Sequence, residues 1–120
     1  MKSDCRHRWR SWAGRLSGLL LFLAVGSLSA ETWVLDQAEW SRPRSGETVI
    51  AMPPVAQAVR HWHEQDEARL ELVYPGGERG ELWASELRDW LIALGMEPAA
   101  VVLQPGAPSE EELLLRVRAN

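Results

Sequence analysis

The sequence predicts a small α/β domain of the two-layer α+β kind: a mixed sheet of about four strands, with two main helices on one face, after a cleaved signal peptide. Three observations predict it. Residues 69–96 read in direct succession as a strand, a glycine-rich turn and an amphipathic helix. Residues 32–36 and 113–118 alternate in the period-two manner of strands with two unlike faces. Residues 1–30 differ in composition from everything after them.

Those thirty residues carry Lys2, Arg6, Arg8, Arg10 and Arg15, then the apolar run Leu19–Val25, then the small-residue stretch Gly26–Ala30. This order is that of a secretory leader, with cleavage expected after Ala30. The apolar run is far shorter than the ~20 residues a membrane-spanning helix needs, so no transmembrane segment is expected in the mature chain. Trp9 separates Arg8 from Arg10, which leaves no twin-arginine pair and favours the general secretory route. The expected location is the periplasm, or outside the cell.

The full chain holds 13 basic and 17 acidic residues, net −4. Residues 1–30 take five of the basic residues and one acidic, so residues 31–120 keep eight and sixteen, net −8, and all eight basic residues are arginine. A surface of that sign repels phosphate backbones and anionic lipid, so nucleic acid is not an expected partner. The only cysteine, Cys5, lies in the leader. Disulfides, thiolate catalysis and cysteine metal sites are therefore not expected in the mature domain.

Residues 31–120 are long enough for one domain, with 31–53 as an N-terminal strand and connector and 54–118 as its core. Five tryptophans (Trp33, Trp40, Trp62, Trp83 and Trp90) enlarge a small core. Thr32–Asp36 is read as the first strand, with Trp33 and Leu35 on one face. Gln37–Trp40 suits a helical turn, and Ser41–Gly46 is a connector by composition. Residues 46–52 fit a short helix or, through β-branched Thr48, Val49 and Ile50, a strand. Pro53 and Pro54 suit a helix start, and the helix Pro54–Gln65 sets Val55, Val59 and Trp62 on one stripe beside Ala56. His61 and His63 flank Trp62, but residues two apart on a helix diverge by about 200°, so no shared metal is expected.

Arg69–Tyr74 is the second strand. Leu70, Leu72 and Tyr74 face one way; Arg69, Glu71 and Val73 face the other, a mixed face that predicts only partial cover. Pro75–Gly80 is read as a turn, and Glu81–Leu94 as the strongest helix, with Trp83, Leu87, Trp90, Leu91 and Leu94 on its stripe and Gly95 closing it. Ala100–Gln104 reads as a buried strand. Glu110–Glu112 is an acidic step, and the last strand sets Leu113, Leu115 and Val117 against Leu114, Arg116 and Arg118.

No Ser-His-Asp spacing, metal-ligand run or nucleophile elbow is present, so the domain is expected to bind rather than catalyse, and without a cofactor. The turn after the second strand lies where ligands commonly bind in α/β sheets. Its spacing matches neither a P-loop nor a dinucleotide fingerprint. The candidate binding residues are Tyr74, Glu78, Arg79 and Trp83. Tyr74 and Trp83 would offer flat contact area, and Arg79 would pair with a carboxylate.

The stretch Ala84-Ser-Glu-Leu-Arg-Asp-Trp-Leu-Ile-Ala-Leu-Gly-Met96, with Val102-Leu-Gln-Pro-Gly106 and Leu114-Leu-Arg-Val117, resembles the OmpA-like C-terminal domain family, which binds peptidoglycan in the periplasm. The resemblance covers residues 54–118. It implies an envelope domain whose partner is a cell-wall component or an envelope protein. It departs from the family at the ligand positions. Gly77 stands in the place of the family's Asp, and the Asn-x-x-Leu-Ser stretch has no counterpart between Gly80 and Glu81. Trp83 stands where the family's helix arginine meets the diaminopimelate carboxylate. The resemblance therefore implies the family's scaffold without its usual peptide-stem contacts.

Overall fold

The computed structural model describes residues 30–120; the signal-peptide reading falls outside them. The elements are β1 (Glu31–Asp36), α1 (Gln37–Trp40), α2 (Gly46–Ala51), α3 (Pro53–His63), β2 (Ala68–Tyr74), α4 (Glu78–Ala93), a 3-10 turn at Pro98–Ala100, β3 (Val101–Pro105) and β4 (Glu112–Ala119). They form a two-layer α+β domain around a mixed sheet of order β1-β4-β2-β3. The β2–β3 pair is parallel, and both pairs involving β4 are antiparallel. Parallel neighbours need a long crossover, and α4 supplies it.

Strand periodicity assigns the two faces. Leu35, Leu70, Leu72, Val101, Leu113, Leu115 and Val117 all point to the helices and join Val49, Val55, Ala58, Trp83, Ala84, Leu87 and Leu91 in one core. The alternation at both ends of the chain is therefore a two-faced sheet, as expected. Of the five tryptophans, Trp40 and Trp83 are buried, whereas Trp33, Trp62 and Trp90 pack on the core's margin.

Residues 46–51 resolve to helix. Ser45 and Thr48 form a reciprocal capping box: the Thr48 N–H donates to Ser45 Oγ at 3.3 Å, and the Ser45 N–H donates to Thr48 Oγ1 at 2.7 Å. The β-branched threonine that argued for a strand is a cap. In α3 both prolines stand in the first turn, and the helix ends at His63, two residues before the expected Gln65. Trp62 Nε1 donates to the Ala68 carbonyl at 2.8 Å, which fixes the return into β2.

The helix after β2 begins at Glu78 rather than Glu81. Gly77 is its N-cap residue at φ 95°, and Glu78, Arg79 and Gly80 are its first turn. This helical position is glycine because its α-carbon lies directly against Pro75: a Cβ at Gly80 would meet the Pro75 carbonyl oxygen at 1.8 Å. The far end closes as a Schellman motif. The Met96 N–H donates to the Leu91 carbonyl and the Gly95 N–H to the Ile92 carbonyl, both at 3.0 Å, with Gly95 at φ 117°. Leu94, expected on the stripe, sits past the last turn and is exposed, whereas Ala84, outside the expected stripe, is fully buried. Arg88 holds the next strand to this helix, Nε and Nη2 each donating at 3.2 Å to the Val101 and Pro98 carbonyls.

The face of the sheet away from the helices is better covered in β2 than its mixed chemistry predicts. Glu71 and Val73 are 5% and 3% exposed, and Val73 lies outside the helix-side core. Neighbouring strands bury Glu71. Arg69 Nε donates to Glu71 Oε2 at 3.2 Å, and Arg116 and Arg118 stand 3.8 Å from Oε1. One carboxylate thus organises three guanidinium groups on adjacent strands. Glu71→Ala is expected to lower unfolding stability by about 1–3 kcal/mol, less than for a fully buried pair because the arginines keep water on one side. Urea unfolding checks this, and Arg69→Ala should cost less than the glutamate change.

Candidate functional site

A cleft of about 340 Å³ flanks the turn, between α1 with its following connector and the N-terminal half of α4. Pro75 and Gly76 form its floor together with Gly80. Arg79, Trp83 and Glu86 line one wall, at helical positions i, i+4 and i+7 and therefore on one face of α4. Gln37, Trp40, Ser41 and Arg44 line the opposite wall, and Glu110 reaches the rim from the β3–β4 loop.

Arg44 locks the two walls together. Its guanidinium stacks 4.4 Å over the Trp40 ring, donates to the Trp40 carbonyl, and bonds Glu86 at 3.0 Å. This arginine is committed to structure. Arg79, in contrast, makes no salt bridge among the described residues, and it is exposed at the cleft. Trp83 is 6% exposed, and its indole Nε1 is buried without a hydrogen-bond partner among the described residues. Such a donor costs about 1–3 kcal/mol if it stays unmade.

The structure brings two of the four sequence-nominated residues into the cleft, Arg79 and Trp83. Tyr74 is elsewhere. Its ring packs on the core, and its carbonyl accepts from the Gly106 and Ala107 N–H groups at 3.0 and 3.1 Å. Glu78 sits one residue round the helix, on a shallow surface with Glu81, Leu82 and Ser85. Trp40, Arg44 and Glu86 were not nominated from sequence. The aromatic–Arg spacing of Trp40 and Arg44 is a local signal, but its pairing with Glu86 spans 42 residues.

The cleft offers the Arg79 guanidinium and aromatic side chains, Trp40 and Trp83, a set suited to holding an anionic group. His61 is far from such a role: its ring lies 5.4 Å from that of Trp33 on the β1 side of α3, and His63 tilts against Trp62 at 6.3 Å. Among the described residues no three His, Cys, Asp or Glu side chains gather as metal ligands, and no helix is long and apolar enough to cross a membrane.

Neither a scan against protein-family models nor a search of curated proteins returns a match to this chain.

Proposed function

We propose that the chain is a non-catalytic binding domain of the bacterial cell envelope, working in the periplasm after export, with the α1–α4 cleft as its ligand site. The observation that carries this reading is Arg79, without a salt bridge among the described residues, beside Trp83 on one wall of a cleft whose other cation is already neutralised; the Trp83 indole N–H is buried without a partner among the described residues. Arg79 would take a carboxylate, and the indole would take a neighbouring carbonyl or hydroxyl oxygen. The leader-like first thirty residues and the resemblance of residues 54–118 to OmpA-like C-terminal domains support the envelope setting.

Two ligand sources fit that chemistry, a cell-wall peptide bound in a mode unlike the family's and a peptide segment of an envelope protein. Co-sedimentation with purified peptidoglycan separates them from one side, and pull-down from membrane extract from the other. Arg79→Ala is expected to weaken whichever binding is found by about tenfold or more, the scale of a charge-assisted contact in a concave site. Unchanged binding by Arg79→Ala, with the fold intact by circular dichroism, would place the site elsewhere.

A further inference from the structure

The sheet face turned away from the helices is chemically self-complementary. Its side chains lie in rows across the strands. Asp36 and Glu112 form one row, Val34, Leu114, Val73 and Gln104 the next, then Thr32, Arg116, Glu71 and Val102, and finally Arg118 and Arg69. Along β4 the order is acidic, apolar, basic: Glu112, Leu114, Arg116, Arg118. The arginines share one carboxylate, Glu71, whereas Asp36 and Glu112 have no salt-bridge partner among the described residues. The acidic end therefore has spare negative charge, and the basic end has three guanidinium groups to one carboxylate. In the apolar row Val34 is 46% exposed.

We propose that this face joins two copies of the chain in a symmetric dimer, sheet against sheet. A twofold axis midway between the two sheets and parallel to them, running across the strands at the Val34–Leu114–Val73 row, reverses the strand direction of the second copy. It sets Leu114 over the partner's Leu114 and Arg116 over the partner's Glu112. The interface is isologous, so each such pair occurs twice. An axis parallel to the strands would instead set acid over acid if it ran between β1 and β4, and would leave Asp36 and Glu112 facing no cation if it ran between β4 and β2. The charges thus select one orientation, and the exposed Val34 with the half-buried Leu114 supplies the apolar centre that a polar rim surrounds, Val73 being already covered within the chain.

The size of the face sets the strength. Four strands about 4.8 Å apart and about six residues long cover roughly 400 Å² on each copy, against the roughly 800 Å² per partner of a standard stable interface. The dimer is consequently weak, reversible and sensitive to salt.

Sedimentation velocity on the purified chain, from about 1 to about 300 μM at about 20 and about 500 mM salt, tests the proposal. The expected result is a monomer–dimer equilibrium whose dissociation constant rises about tenfold at the higher salt. Glu112→Arg and Arg116→Glu should each leave the chain monomeric across that range. Mixing the two variants should restore a dimer, since both opposed pairs are then complementary only in the mixed species. Val34→Glu, at an exposed edge-strand position in a row that holds none of the Glu71 partners, should also give a monomer. Three results would overturn the proposal: a monomer under all conditions, a dimer indifferent to Glu112→Arg and Val34→Glu, or no restoration on mixing folded variants. Any of them would leave the face to a different occupant, such as an acidic partner protein.

Discussion

Gly80→Ala is expected to lower the stability of the domain by about 2–4 kcal/mol, the range for inserting an atom where the packing cannot yield. In an exposed helix the same change would stabilise by about 1 kcal/mol through helix propensity. Here the added Cβ would stand 1.8 Å from the Pro75 carbonyl oxygen and 2.7 Å from its carbon. Both are backbone atoms of the segment joining β2 to α4, so relief requires the helix to lift off the end of the strand. With a urea slope of about 1 kcal/mol per M for a chain this size, the unfolding midpoint should fall by about 2 M or more. Gly76→Ala provides the contrast. A Cβ at Gly76 meets nothing within 4 Å, and that variant should stay within about 0.5 kcal/mol of the parent. If Gly80→Ala matched Gly76→Ala, the close approach of helix and strand would be wrong.

Trp83 separates packing from recognition. Trp83→Ala removes one of the two fully engaged tryptophans and should cost about 3–5 kcal/mol, as for other large aromatics in cores. Trp83→Phe is the informative change. It loses ring volume, which destabilises, but it also removes the buried N–H that has no partner, which stabilises by about 1–3 kcal/mol. The two effects offset, so the phenylalanine variant should unfold within about 1 kcal/mol of the parent. Binding should not show that compensation. If the ligand accepts from the indole N–H, Trp83→Phe should weaken binding about tenfold while the fold holds. Isothermal titration beside urea unfolding of the same preparations reads both effects. Equal binding by Trp83→Phe and the parent would remove the indole from the recognition scheme and leave Arg79 as its only polar contact.

The strands were legible because each side chain alternates between environments that differ in kind. Leu113, Leu115 and Val117 face the core, while Arg116 and Arg118 face away. The α4 stripe was legible from Trp83, Leu87 and Leu91 for the same reason. The start of α4 was not. Three glycines in the stretch 76–80 read as a turn by composition, yet Gly80 is glycine to admit a carbonyl oxygen, a requirement that exists only once strand and helix are docked. The burial of Glu71 was hidden similarly. Its own strand shows a mixed face, and its cover comes from arginines on β4 that register pairing places beside it. Half of the cleft was legible, the half on α4. The other wall comes from residues 37–44, whose place is fixed by the Arg44–Glu86 bond across 42 residues.

The strand order also bears on when this domain can fold. β4, residues 112–119, is the latest of the four strands in sequence, yet it lies between β1 and β2 and pairs with both. Until it emerges, β1 has no neighbour in the sheet, and only the parallel β2–β3 pair can form around α4. Closing β1 onto β4 joins residues 31–36 to residues 112–117, a contact of high sequence separation that is slow to form. The sheet therefore stays open between β1 and β2 until residues 112–119 are available to fill it.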